Sequence, residues 1–117
     1  MKTDQPTAAQ KRWREAVREL GSVISGDPAV IHHPAGRKAK HNKVEIGHWW
    51  VIPLTDEEHK ALHRGVLEWS VVGWFEGCDT RKEFEKRAFE AVLGGAHWAG
   101  VERPPIEAVL AIQDYHR

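Results

Sequence analysis

Histidine is the residue type whose number and spacing point most directly to chemistry in this chain. Of the eight histidines among 117 residues, six lie between His32 and His63. Imidazole is the usual proton carrier near neutral pH and the commonest protein ligand for metal ions. This crowding in one short stretch favours a catalytic or metal-binding site.

Two of these histidines, His59 and His63, lie four residues apart in a segment predicted to be a helix. Thr55 to Glu58 has the pattern of a capping box, in which the Thr55 hydroxyl accepts from a backbone N–H three residues on and Glu58 reaches back. A helix that begins there and ends near Gly65 places both imidazoles on one face. Two such rings can bind one divalent ion at about 2.0–2.1 Å and leave positions for a third ligand and for substrate oxygens.

The third ligand can come from the end of a short strand. Ala29 to His32 is partly β-branched and stops before Pro34, so we predict a strand whose exit presents His32 and His33. A histidine beside the ion that does not bind it can take a proton from water. Such a site has the equipment for phosphodiester hydrolysis, because the ion offsets transition-state charge while the base activates the water.

A second strand and a basic loop complete the predicted β, β, α unit. Val44 to Leu54 is rich in aromatic and β-branched residues and is expected to form the second strand, kinked near Gly47 and with its pairing ended by Pro53. The run from Gly36 to Lys43 has four basic residues and no acid, and we predict a loop there. This loop either is plainly solvated or holds flanking phosphates of a substrate through four side chains: Arg37, Lys38, Lys40 and Lys43.

These segments resemble a known family of nucleases. The run from His32 to Arg37 (HHPAGR), the run from His48 to Leu54 (HWWVIPL), and the helix histidines His59 and His63 resemble the HNH, or ββα-metal, endonucleases. Within them the chain looks most like the phage recombination-enhancement (Ref) group of recombinase-dependent nucleases, over about residues 8–93. The resemblance implies an α+β fold with a ββα-metal core at about 29–65 and flanking helices, and hydrolysis of DNA.

The resemblance also implies a role for each motif residue. His33 falls on the general base, and His48 on the middle position of the motif, which orients the base or grips phosphate. His48 as a strand histidine bonded to a backbone carbonyl remains the alternative, since Trp50 stands close to where simpler HNH proteins have Asn. One divalent ion, Mg²⁺, Mn²⁺ or Zn²⁺, is implied at three ligands: His32, His59 and His63.

A structural zinc is not expected. Related nucleases often carry a Cys pair after the first helix and further Cys or His after the VIPL-type strand. Four residues without thiolate or imidazole stand at that spacing here: Ser22, Ser25, Thr55 and Glu58. Hydroxyl groups are poor zinc ligands. The capping box and the Trp-rich flanks are the expected substitute.

The remaining segments predict a single domain over residues 1–117 with flanking helices at about 7–20, 80–93 and 104–115. Of the adjacent pair Trp49 and Trp50, one is expected to face the core and at most one the surface, where it could stack on bases, because side chains alternate along a strand; core packing is favoured. Four further aromatic residues are assigned to the core: Trp69, Trp74, Phe75 and Trp98. Four residues are assigned no chemical role: His41, Cys78, His97 and His116.

Composition limits the partners. With 17 basic and 17 acidic residues the formal net charge is zero, which argues against a strongly basic DNA-coating protein but not against a local binding site. No apolar run approaches about 18 residues, so no membrane span is expected and a membrane is not among the expected partners. The N-terminal sequence has no apolar core of the kind an export signal needs, which favours a cytoplasmic location.

Two classes of function follow. The first is a divalent-metal-dependent DNA endonuclease in phage- or prophage-linked recombination or DNA processing, with a recombinase filament as the further partner that the resemblance implies. The alternative is a catalytically silent DNA-binding or recombination-accessory module, or a phage interaction protein, whose histidines hold a structural metal ion.

Overall fold

Helices and short antiparallel strands combine in a mixed α+β fold. The computed structural model describes residues 5–94 and 101–115, so His97, Trp98 and His116 lie outside the described residues. Two two-stranded sheets and four α-helices are present in the described part, with a single 3-10 turn at Gly73–Phe75. The elements are β1 (Val30–His32), β2 (Lys40–His41), β3 (Val44–Glu45), β4 (Ile52–Leu54), α1 (Ala8–Glu19), α2 (Asp56–His63), α3 (Arg81–Gly94) and α4 (Ile106–Asp114).

The first helix forms as predicted and begins with a capping box. The Thr7 side chain accepts from the Gln10 N–H at 3.1 Å, and the Gln10 side chain accepts from the Thr7 N–H at 2.8 Å. The buried face of α1 includes Trp13, whose indole N–H donates to the carbonyl of Trp49 at 3.0 Å. This bond ties α1 to the segment that leads into β4.

Strands β1 and β4 pair antiparallel, with Val30 opposite Leu54 and His32 opposite Ile52. The expectation that Pro53 ends the pairing is wrong, because Pro53 lies inside β4 opposite Ile31. The Pro53 carbonyl accepts from the Val23 N–H at 3.1 Å, so this carbonyl points away from β1. The missing N–H of proline is therefore lost from the outer edge and not from the β1–β4 ladder.

The basic run from Gly36 to Lys43 is predicted to be a loop, but its second half forms part of a hairpin. Lys40–His41 and Val44–Glu45 form a small antiparallel hairpin, β2–β3. Asn42 and Lys43 turn the chain with φ of 52° and 67°, the backbone that a two-residue hairpin turn needs at both central positions.

The predicted second strand, 44–54, is divided. Between β3 and β4 the chain turns, because the Ile46 carbonyl accepts from the backbone N–H groups of both Trp49 and Trp50. Alternation of faces does not apply in such a turn, and both indoles are buried, at 7% and 1% exposure. Both rings therefore face the core, which agrees with the expectation that at most one of them lies at the surface.

The segment before α3 is partly core and partly surface. Phe75 is buried, and the ring of Trp69 stacks on Phe84 of α3 at a centroid distance of 4.9 Å. Trp74, also assigned to the core, is 51% exposed. Its indole N–H donates to the Arg87 carbonyl at 3.0 Å, so it lies along the outside of α3.

The flanking helices α3 and α4 lie within two residues of the predicted limits and bury Phe84, Phe89 and Ile112 among others. Within the described ranges, no helix has both the length and the apolar character that crossing a membrane requires.

Candidate metal centre and histidine pair

Three histidines converge where β1, β4 and α2 meet. His32 is the last residue of β1, and α2, which contacts both strands, carries His59 and His63. Ring centroids are 4.9 Å apart for His32 and His59, 5.4 Å for His32 and His63, and 4.6 Å for His59 and His63. One possible ligand atom from each residue lies within 4.8 Å of the other two. The predicted ligand set is thus assembled in one place.

Helix α2 is fixed at its start by hydrogen bonds. As predicted, the Thr55 hydroxyl accepts from the Glu58 N–H at 3.0 Å, and the Glu58 carboxylate accepts from the Thr55 N–H at 2.8 Å. The same carboxylate oxygen accepts from the Ser22 hydroxyl at 2.5 Å, while Ser22 accepts from the Ser25 N–H at 3.1 Å. The four residues at the positions where related nucleases bind a structural zinc are therefore linked to one another by hydrogen bonds. This network fastens the start of α2 to the loop after α1.

The donor chemistry of the three histidines suits a transition-metal ion. The Nε2 atoms of His59 and His63 are 3.0 Å apart, so one ring donates an N–H hydrogen bond to the other unless an ion binds both nitrogens. Burial, then the neighbouring rings of His32 and His63, lower the pKa of His59, so the neutral, ligating form is favoured. Imidazole nitrogen suits zinc and its neighbours, whereas Mg²⁺ prefers oxygen.

Glu85 of α3 holds His32 and was missed by the sequence reasoning. Its Oε2 lies 2.6 Å from His32 Nε2, and both side chains are at most 5% exposed. Arg81 donates through Nε to the same oxygen at 3.2 Å. The contact leaves Nδ1 of His32 as the nitrogen available to an ion. Metal-binding histidines commonly donate their second N–H to a carboxylate in this way.

A signal for Glu85 existed in the sequence. It lies between Phe84 and Phe89 on the side of α3 that carries the apolar stripe. A carboxylate there is costly to bury unless it is paired. Its presence therefore indicated a buried cationic or hydrogen-bond-donating partner.

His33 and His48 form a second group beside the first. Their ring centroids are 6.0 Å apart and nearly perpendicular, at 87°. His33 Nε2 is buried and makes no hydrogen bond within the described part of the chain. Burial, followed by the electrostatic effect of Arg37, His48, Arg14 and His32, lowers the pKa of His33 to about 4. His33 is therefore neutral at pH 7 and able to accept a proton.

His48 lies in the turn between β3 and β4 and not on a strand, and it is buried. The preceding residue, Gly47, donates its N–H to the Ala39 carbonyl at 3.1 Å. A Cβ on Gly47 would lie 2.2 Å from the Arg37 carbonyl oxygen and 2.4 Å from that of Gly36. Only glycine allows the chain after His33 to pack this closely against the turn that carries His48.

The four predicted DNA-binding residues are all exposed. Lys40 lies in β2 and Lys43 in the hairpin turn, whereas Arg37 lines a groove of about 370 Å³ that also contains His33. The groove includes two arginines of α1 that the sequence reasoning did not single out. Its lining residues are Arg14, Glu15, Arg18, Ala29, Val30, Ile31, His33 and Arg37.

The histidine and the cysteine assigned no role lie apart from both groups. His41 Nε2 is 2.9 Å from Asp114 of α4. Cys78 is buried, and burial raises the pKa of its thiol, which disfavours the nucleophilic thiolate.

Comparison of the chain with protein-family models, with curated protein sequences and with solved structures finds no match.

Proposed function

We propose that this chain is a divalent-metal-dependent endonuclease of the HNH, or ββα-metal, type that hydrolyses DNA phosphodiester bonds. The observation that carries the proposal is the convergence of His32 with His59 and His63, directly beside the second histidine of the His32-His33 pair. In this proposal β1, β4 and α2 are the ββα-metal core. A place in phage-linked recombination, with a recombinase filament as partner, rests on the family resemblance.

His32, His59 and His63 would hold the ion, and Glu85 would fix the orientation of His32. A bound divalent ion would supply electrostatic stabilisation of the charge that develops on the phosphate and the leaving oxygen. The all-nitrogen donor set favours Zn²⁺ over Mg²⁺ and Mn²⁺, which are held mainly by oxygen ligands.

His33 is the residue we assign to proton transfer. Its ring is neutral at pH 7, and leaving Nε2 buried without a partner costs about 1–3 kcal/mol. Unsatisfied polar atoms in native structures often have a catalytic reason. We propose that His33 accepts the proton of the attacking water, and that His48 beside it keeps the ring in place.

Nicking of supercoiled plasmid DNA in the presence of Mn²⁺, Zn²⁺ or Mg²⁺ tests the proposal. A chelator should stop cleavage by the parent. The His33→Ala variant should not cleave DNA but should still bind metal. His41→Ala is the matched control, since His41 lies outside both histidine groups, and it should cleave like the parent. Cleavage that survives His33→Ala removes His33 as the base, and no nicking with any metal contradicts the endonuclease proposal.

One observation favours the second candidate, a catalytically silent DNA-binding or recombination-accessory module with a structural metal. Trp50 stands near the usual Asn of the motif, is 1% exposed and directs its indole N–H to the Glu85 carbonyl at 3.4 Å, so it offers nothing to a substrate. Salt-sensitive DNA binding with tightly held metal and no nicking would select this candidate. Loss of the whole fold on chelation would indicate a structural ion.

A further inference from the structure

The groove beside His33 has one wall made by helix α1. Arg14 and Arg18 are four residues apart, so they lie on the same side of the helix. Arg37 faces them from the segment after β1, and His33 lies in the same groove. The buried side of α1, which includes Trp13 and Val17, fixes this wall against the rest of the domain.

The groove is positively charged although the chain as a whole is neutral. Three arginines and one acid, Glu15, are among its lining residues. Glu15 is ion-paired with Arg18, but both side chains are about half exposed, at 52% and 50%. Ion pairs between exposed side chains contribute only about 0–1 kcal/mol, so Arg18 can exchange this partner for a phosphate at little cost.

We propose that Arg14 and Arg18 of α1, together with Arg37, bind the phosphodiester backbone of a DNA duplex and place it against His33. This inference rests on the proposed function and names the surface that holds its substrate. It differs from the sequence-based expectation, which assigned the phosphate contacts to the run from Arg37 to Lys43. Guanidinium groups suit this task because they bind phosphate oxygens in a bidentate manner.

DNA binding measured without metal tests the inference separately from cleavage. The probe is a short fluorescent DNA duplex, and its anisotropy is followed from about 50 to 200 mM salt in the presence of a chelator. Each phosphate contact contributes about 0.9 to the slope of log K against log salt, which corresponds to roughly eightfold in affinity at about 0.1 M salt. The double variant Arg14→Gln/Arg18→Gln should therefore lower the slope by about 2 and weaken binding by roughly sixtyfold.

Three further variants make the test specific. Arg12→Gln is the matched control, because Arg12 is exposed on α1 but lies about 160° around the helix from Arg14. It should change affinity by less than about twofold, as expected of a charge outside the contact surface. Glu15→Gln should strengthen binding, since it removes the acid from the groove. Lys38→Gln/Lys40→Gln should weaken binding less than the α1 double variant.

The outcomes separate this inference from the proposed function. Binding that depends on Arg14 and Arg18 supports the inference even if no metal gives cleavage. Parent-like binding by the α1 double variant, with native circular dichroism, overturns it even if the protein is a nuclease. Equal losses for Arg12→Gln and the α1 variants would also overturn it, because they would indicate a general charge effect.

Discussion

Replacing Glu85 with glutamine tests how α3 supports the histidine cluster. Glutamine has nearly the same shape, and its carbonyl oxygen can still accept from Nε2 of His32. The substitution removes the negative charge that lies 2.6 Å from this ring and 3.2 Å from Nε of Arg81. It therefore changes the electrostatics of the ligand while the packing around it stays the same.

The expected effect has two parts. A hydrogen bond to a charged group contributes about 1.5–3 kcal/mol against about 0.5–1.5 kcal/mol for a neutral one, so Glu85→Gln should lower the metal-free stability by about 1 kcal/mol. Loss of a carboxylate that orients a metal-binding histidine typically weakens metal affinity by about 10–100-fold. Since glutamine keeps one hydrogen bond, we expect about tenfold, or about 1.4 kcal/mol less stabilisation by saturating metal.

Competition titration with Zn²⁺ and a chromogenic chelator gives the affinity, and thermal unfolding with and without Zn²⁺ gives the two stability terms. Glu90→Gln is the matched control, because Glu90 lies on the same helix but is about half exposed and 3.9 Å from its partner Arg87. It should behave like the parent in both assays. If Glu85→Gln binds Zn²⁺ as tightly as the parent does, the contact is merely structural and this reasoning is refuted.

Other substitutions test the supporting structure. Gly47→Ala should lower the free energy of unfolding by at least about 1–3 kcal/mol, because the added Cβ would overlap the Arg37 carbonyl. Urea denaturation measures this change, and a midpoint equal to that of the parent would contradict the close packing. Ser22→Ala removes the hydroxyl that bonds both the loop N–H groups and Glu58, so it should lower the free energy of unfolding by about 1–3 kcal/mol in the same assay. Ser25→Ala, at an exposed position, should change this free energy by less than about 0.5 kcal/mol. Zn²⁺ should raise the unfolding temperature of the parent more than Mg²⁺ does, and a preference for Mg²⁺ would argue against ligation by nitrogen alone.

The helices that position the site were predictable because their signals are local. Capping boxes at Thr7 and Thr55 fix where α1 and α2 begin, and Gly65, with φ of 74°, ends α2. The spacing of His59 and His63 then determines that both rings share a helix face. The short strand that ends at His32 was recognised from the proline that follows it.

The strand pairing could not be read from the sequence in the same way. The turn at Asn42 and Lys43 lacks the glycine that usually marks two residues with positive φ, so the β2–β3 hairpin left little trace. Pro53 is tolerated in β4 because its backbone N and carbonyl face away from β1. This orientation depends on the register of the strands and not on composition.

The residues that complete the site come from distant parts of the chain. Glu85 reaches His32 across 53 positions, and Arg14 reaches the groove of His33 from α1. No spacing rule connects such positions, since their contacts follow from how α1 and α3 pack on the sheet. A charged residue within an apolar stripe, as at Glu85, is the one sequence signal that indicates such a contact.

The proposed metal centre is tested most directly by a crystal structure of the protein grown with Zn²⁺, with anomalous data collected at the zinc edge. One peak is predicted per chain, at about 2.0–2.1 Å from a ring nitrogen of each of His32, His59 and His63. The same crystals of His59→Ala should lose the peak. Zinc bound elsewhere, or none bound with the three rings still within contact of one another, would contradict the assignment of this cluster as a metal site.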